Sequence, residues 1–179
     1  MKFVISVDPA TTTGIALVAY GVGGPPMVLA SDIVKLKVKD RWKWCEKATD
    51  AIVNMVDGKT EPWCSIVDAQ WVIETWSHHR NFRDAIRLAQ IQQMWIGVAT
   101  DISALDPVLY NVTSWQAAIG AGRLKSKVHG INARKDHAQM WAKRTYGFEG
   151  KISNDVADAL CMASVWIREN RHTQSELTL

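Results

Sequence analysis

Over the first 38 residues, apolar positions alternate or cluster in short runs separated by polar or glycine-rich breaks. Residues 2–8 (K-F-V-I-S-V-D) and 14–20 (G-I-A-L-V-A-Y) read as two strands joined by Pro9-Ala10-Thr11-Thr12-Thr13. The run Gly21-Val22-Gly23-Gly24-Pro25-Pro26 is a strong turn signal. A third strand follows over 27–37 and ends in the alternating Val34-Lys35-Leu36-Lys37-Val38. The three form an antiparallel meander. The period then changes. Residues 40–57 place Ala48, Ile52 and Met55 or Val56 on one helical face. Residues 58–68 read as a polar loop, and Trp71-Val72-Ile73-Glu74-Thr75 as a short buried strand.

A long helix over 80–102 carries Ala85, Leu88, Ile91 or Gln92, Trp95 and Val98 or Ala99 on its apolar side. Its Ala89, Gly97 and Ala99 permit close approach of another helix. Residues 108–112 form a strand, and Thr113-Ser114 cap a short helix over 114–119. A basic, glycine-bearing loop covers 120–130. A basic helix covers 132–146, and a last helix covers 154–168, capped by Ser153 or Asn154. Three antiparallel strands followed by strand-helix-strand units imply an α/β fold. Its mixed five-stranded sheet has three antiparallel strands, then two parallel ones, with helices on its faces. No linker divides the chain, so 1–179 reads as one domain.

Composition narrows the class. The 179 residues are 47% hydrophobic and 22% charged, as in a soluble globular protein. No apolar run approaches the roughly 20 residues that cross a bilayer. Asp8 and Pro9 stop the first apolar stretch, which is a strand and not a signal peptide. Cys45, Cys64 and Cys161 are odd in number and lack metal-ligand spacing, which reads as reduced thiols in a cytoplasmic protein. The net charge of +3 is unevenly spread. Between Gly120 and Lys151 lie Arg123, Lys125, Lys127, Arg134, Lys135, Lys143, Arg144 and Lys151, opposed only by Asp136 and Glu149. Such a run is either a solvated face or a footprint for a phosphate backbone. His78-His79 reads as a polar loop pair, and His137 as a surface residue of the basic helix.

The carboxylates carry the candidate chemistry. Asp8 ends the first strand, and Glu74 continues an apolar one. Asp155 and Asp158 stand three apart on one face at the start of the last helix, within I-S-N-D-V-A-D-A-L. Taken singly, each has a plain role: a turn aspartate, an edge-strand glutamate, a carboxylate favoured by the helix dipole. Together they sit at strand ends and a helix start, which converge at one edge of an α/β sheet. Like charges there repel, and a cation between them removes the conflict. Four hard oxygen donors suit Mg²⁺ or Mn²⁺ over Zn²⁺. Such a set can hold two ions about 3.5–4 Å apart and support in-line displacement at a phosphodiester.

The motif I-S-V-D-P-A-T-T-T-G-I-A-L resembles the first strand-turn-strand of the RNase H-like superfamily. V-I-E-T-W is similar to its second acidic strand. N-D-V-A-D-A-L resembles the final acidic helix of RuvC Holliday-junction resolvases, with the pattern D-x-x-D-A-L. Order and approximate spacing match along nearly the whole chain. The resemblance implies an RNase H-like fold and a homodimeric, Mg²⁺-dependent endonuclease of branched DNA, with Mn²⁺ as a substitute ion. Four-way junctions are the expected substrate, with forks and flaps as a broader range.

By motif position Asp8, Glu74, Asp155 and Asp158 correspond to the metal-binding carboxylates, two ions being held per site. Hydrolysis then leaves a 5′-phosphate. The resemblance makes Trp76, then Phe82, the aromatic contact to bases near the junction. It makes Lys135 the assisting cation, with Arg134 and Lys125 as alternatives. Arg123, Lys125, Lys127, Arg134 and Lys135 form the expected DNA-binding set. The helix 80–102 is the expected dimer seam, through Gly97 and Trp95. The sequence departs from the cellular bacterial pattern in its longer basic stretch 121–131. It also carries Trp115 or Gln116 where those enzymes carry a lysine. It looks more like phage-encoded members, which would act in the host cytoplasm.

Three rival readings remain open on the sequence. D-P-A-T-T-T-G also resembles the start of actin-like ATPases, though no second phosphate loop is apparent. A related nuclease acting on RNA–DNA hybrids is the second. A non-catalytic branched-DNA-binding module is the third.

Overall fold

A computed structural model of the chain describes residues 1–21, 24–56, 64–75, 81–124, 126–130 and 132–171, without the side chains of residues 38, 64, 65, 126 and 127. The strands are β1 (Lys2–Asp8), β2 (Thr12–Tyr20), β3 (Met27–Lys35), β4 (Gln70–Thr75) and β5 (Val108–Asn111). The α-helices are α1 (Trp44–Val56), α2 (Cys64–Val67), α3 (Phe82–Ile102), α4 (Val112–Ala118), α5 (Ser126–His129), α6 (Ala133–Tyr146) and α7 (Asn154–Asn170). The sheet runs β3-β2-β1-β4-β5. β1 pairs antiparallel with β2 and parallel with β4, β2 pairs antiparallel with β3, and β4 pairs parallel with β5. This is the expected mixed sheet, and the parallel strands are those that a helix separates.

The period of two along each strand sorts its side chains between two cores. On β1, Val4 joins the core under α4, α6 and α7, while Ile5 and Val7 join the core under α1 and α3. On β4, Val72 faces α7, while Trp71 and Ile73 face α3. Extending that parity by one step places Asp8 and Glu74 on the α7 side.

The last helix is buried along most of its length, from Val156 to Ile167. It lies over the small residues Gly14 and Ala16 of β2. Gly14 pairs with Asp8 in the sheet. A Cβ on Gly14 would stand 2.0 Å from the Asp155 carbonyl oxygen and 2.7 Å from the Val156 nitrogen. Only a residue without a side chain lets the first turn of α7 rest there. Ser153 caps that turn, its hydroxyl accepting from the Val156 N–H at 3.1 Å.

Several details differ from the sequence reading. The segment before α1 is a 3-10 turn over Val38–Lys43 with a kink at Asp40, so the α-helix begins only at Trp44. The expected polar loop 58–68 contains α2, whose Ile66 is buried; 57–63 lie outside the described residues. The basic loop likewise contains a 3-10 turn over Ala121–Arg123 and the short α5. The cap of α4 is Asn111 and not Thr113-Ser114. Its Oδ1 accepts from the Thr113 N–H at 2.8 Å, which starts the helix two residues early. Trp95 is fully buried in the core that α3 shares with its own sheet, whereas Gly97 is exposed. The aromatic expected at a dimer seam therefore serves intramolecular packing. Among the described residues no helix is long and apolar enough to cross a membrane.

Gly14→Ala is expected to push the start of α7 off β2 and to destabilise the protein by roughly 1–3 kcal/mol or more, as overpacking does. Urea denaturation of the purified variant checks this.

Candidate active site

The site is built by the parity of two parallel strands and by the seating of α7. Asp8 and Glu74 end neighbouring strands on the α7 side, and Asp155 and Asp158 face them from the first turns of that helix. Each of the four keeps partial contact with solvent. Even so, burial dominates the electrostatics of Asp8, Glu74 and Asp158. The Asp8 carboxyl is pushed well above its ordinary range, first by burial and then by Glu74, Asp158 and Asp155; Lys135 opposes the rise. Asp158 is raised from 3.8 to about 7, again by burial first and then by Asp155, with Lys135 opposing. Glu74 is raised from 4.5 to about 7 by burial, and Asp158 adds to the rise.

Glu74 has a partner that the sequence did not reveal. The Trp115 indole donates to Glu74 Oε2 at 3.0 Å, which favours the ionised glutamate. Trp115 is buried in α4. A neutral donor here holds the carboxylate in place but leaves its charge uncompensated. Nothing local in the sequence reveals a bond spanning 41 residues.

The basic residues divide. Lys135 is exposed on α6, near enough to Asp8 and Asp158 to act on both. Arg134 is spent on structure, its Nε–H donating to the Leu124 carbonyl at 3.0 Å. Arg123 is exposed beside it. Phe82 is exposed at the start of α3, where Asn81 caps the helix. Trp76, His78, His79 and Lys125, and the Lys127 side chain, lie outside the described residues. His137 is not a surface residue. It is partly buried, and its Nε2–H donates to the Ile119 carbonyl at 2.7 Å, tying α6 to the turn after α4. That turn reverses at Gly120, with φ of +83°.

Oxygen is the donor type that all four carboxylates present, which matches Mg²⁺ or Mn²⁺. Among the described residues, no three carboxylate, histidine or cysteine side chains stand close enough to hold one ion together as they lie. The arrangement is thus a set of confined, mutually repelling carboxylates with one lysine nearby.

Raised carboxylates bind protons more tightly when folded than when unfolded. Their stabilising protonation is complete near pH 4 and is lost as pH rises through about 7. In EDTA the protein should therefore lose stability between about pH 4 and pH 8. Asp158→Asn should flatten that loss, gaining on the order of 2 kcal/mol at pH 8. Thermal unfolding across pH checks this. Trp115→Phe, which strips Glu74 of its donor, should cost roughly 1–3 kcal/mol. The loss should be greater at pH 8 than at pH 5, as urea midpoints at the two pH values would report.

Neither a protein-family model nor a curated protein sequence matches the chain. Solved structures do. A Thermus thermophilus RuvC in complex with Holliday junction substrate aligns at 17% identity and a TM-score of 0.66, covering 94% of this chain and 96% of that one. The Thermus thermophilus RuvC structure aligns at 17% identity and 0.66, covering 93% and 96%. The yeast mitochondrial Holliday junction resolvase Ydc2 aligns at 11% identity and 0.53, covering 98% and 84%. With its strand order, its parity-placed carboxylates and its α7 seated on Gly14, the chain has the RNase H-like fold of the RuvC-type resolvases.

Proposed function

We propose that this protein is a metal-dependent endonuclease that nicks four-way junctions and other branched DNA. The observation that carries the reading is the convergence of Asp8, Glu74 and Asp158 at one sheet edge. There burial and mutual repulsion raise their proton affinity. Charges confined in this way are costly without a counter-ion, and a divalent cation supplies one. The fold supports the reading, since a RuvC of this fold was captured with Holliday junction substrate.

Asp8, Glu74 and Asp158 would hold Mg²⁺ or Mn²⁺, with Asp155 completing or orienting a second site. Two such ions, when bound, activate water and stabilise the leaving oxygen of a phosphodiester. The chain's own residues do the rest. Trp115 fixes the Glu74 carboxylate through its indole N–H. Lys135, near Asp8 and Asp158, would steady charge that develops on the phosphate. The exposed cations on and before α6 would bind the backbone of a DNA arm in a salt-dependent way. One site cuts one strand, so paired cuts in a junction call for a homodimer with two-fold symmetry.

A non-catalytic branched-DNA-binding protein is the second reading. It draws on the lack, among the described residues, of a ready-formed group of three ligands. One experiment separates the two. A synthetic four-way junction, a three-way fork, an RNA–DNA hybrid and a linear duplex are incubated with Mg²⁺, Mn²⁺ or EDTA. The expected result is metal-dependent nicking of the branched DNAs with 5′-phosphate ends. Asp8→Asn should lower the rate by at least about a thousandfold while DNA binding persists. Binding without cutting in either metal would make this a binding module.

A further inference from the structure

The proposed activity leaves one charged surface unused. Residues 35–43 (K-L-K-V-K-D-R-W-K) carry Lys35, Lys37, Lys39, Arg41 and Lys43 against a single acid, Asp40. A bare run of cations is most often a solvated face. Trp42 makes this run different. It is 77% exposed, and it alone among the described tryptophans stands out in solvent. Lys43 Nζ stands 4.6 Å from the centre of its ring.

Local structure enforces the outward placement. Trp44, two residues on and the first residue of α1, is buried in the core that α1 shares with α3, and its indole donates to the Lys37 carbonyl at 2.9 Å. Arg41 stands 6.0 Å from the Trp44 ring centre. These contacts close the 3-10 turn on itself, so Trp42 faces away from the core. The turn also leaves the sheet at the carboxylate edge. Lys35 pairs with Thr12, Ile33 pairs with Gly14, and Gly14 pairs with Asp8. The Leu36 N–H donates to the Thr11 carbonyl at 2.9 Å, in the turn that follows Asp8. Trp44 belongs to the core on the face opposite α7. The segment thus flanks the carboxylate edge from one layer, while Lys135 flanks it from the other.

We propose that residues 35–43 form a second nucleic-acid surface that takes a single-stranded arm of a branched DNA, with Trp42 stacked on an unpaired base and the cations on its phosphates. This rests on the reading of the protein as a branched-DNA nuclease and names the substrate class within it. The physical reason for single strands is access. In a duplex, neighbouring base pairs occupy both faces of each base. An unpaired base offers a free face to an indole, and the cations add affinity without regard to sequence. Forks and flaps with a single-stranded arm are then bound more tightly than a fully paired four-way junction.

The test is binding in EDTA, which needs neither metal nor cleavage. Fluorescence anisotropy is recorded with labelled oligo-dT of about 15 nucleotides, with a linear duplex and with a fork bearing a single-stranded arm. Trp42→Ala should weaken binding to oligo-dT and to the fork about tenfold, and to the duplex by less than about twofold. Trp42→Phe should restore most of the loss. Lys37→Ala with Lys39→Ala should weaken all three and reduce the salt dependence. Circular dichroism of each variant should match wild type, since the changed side chains lie on the surface. Equal loss on duplex and oligo-dT, no loss at all, or no oligo-dT binding by wild type would overturn the proposal. The result is independent of cutting: a protein that binds oligo-dT through Trp42 yet cleaves nothing sinks the nuclease reading and leaves this surface standing.

Discussion

The contact between Gly14 and the first turn of α7 is the constraint on which the carboxylate edge depends. A Cβ at that position would overlap the Asp155 backbone, so the helix can rest on β2 only because β2 has no side chain there. Gly14 is also the sheet partner of Asp8. The same close approach therefore brings Asp155 and Asp158 over Asp8. Strand parity supplies the fourth carboxylate, because Val72 and Glu74 share the face that Val4 and Asp8 share. Packing forces together groups that electrostatics would keep apart; burial first, and then mutual repulsion, raises the proton affinity of Asp8 and Asp158.

The two layers over the sheet do different work. On the far face, α1 and α3 close an aliphatic and tryptophan core around Ile52, Trp71 and Trp95. On the near face, α7 is buried between the sheet and the helices α4 and α6. Ties across that layer hold α4 and α6 in register: Trp115 to Glu74, His137 to the Ile119 carbonyl, and Gln139 to the Ile152 carbonyl at 3.0 Å. Lys135 projects from a helix fixed in this way. From there it lies close enough to Asp8 and Asp158 to oppose the rise in their proton affinity.

Cations border the carboxylate edge from both layers, on α6 and on the turn before α1. The first group was apparent as a long basic run. The second was hidden, because alternation in Val34-Lys35-Leu36-Lys37-Val38 reads simply as the end of a half-buried strand. Only the opposed orientations of Trp42 and Trp44 separate an exposed aromatic from a core one. Both residues look alike in a count of tryptophans.

The sequence by itself determined the strands, the long helices, the order of the sheet's antiparallel and parallel parts, and the four candidate carboxylates. These follow from local periods of two and 3.6, from breaks at Gly21–Pro26, and from acids set in apolar runs. Local pattern carries such information because backbone geometry repeats it along the chain. Tertiary structure alone decided the rest. Trp95 turned into its own core, His137 found a carbonyl across the layer, and Trp115 reached Glu74. Each of the last two is a contact between elements distant in sequence, and Trp95's side follows from which face of α3 meets the sheet. Such choices depend on how the layers dock, which no period within one element specifies.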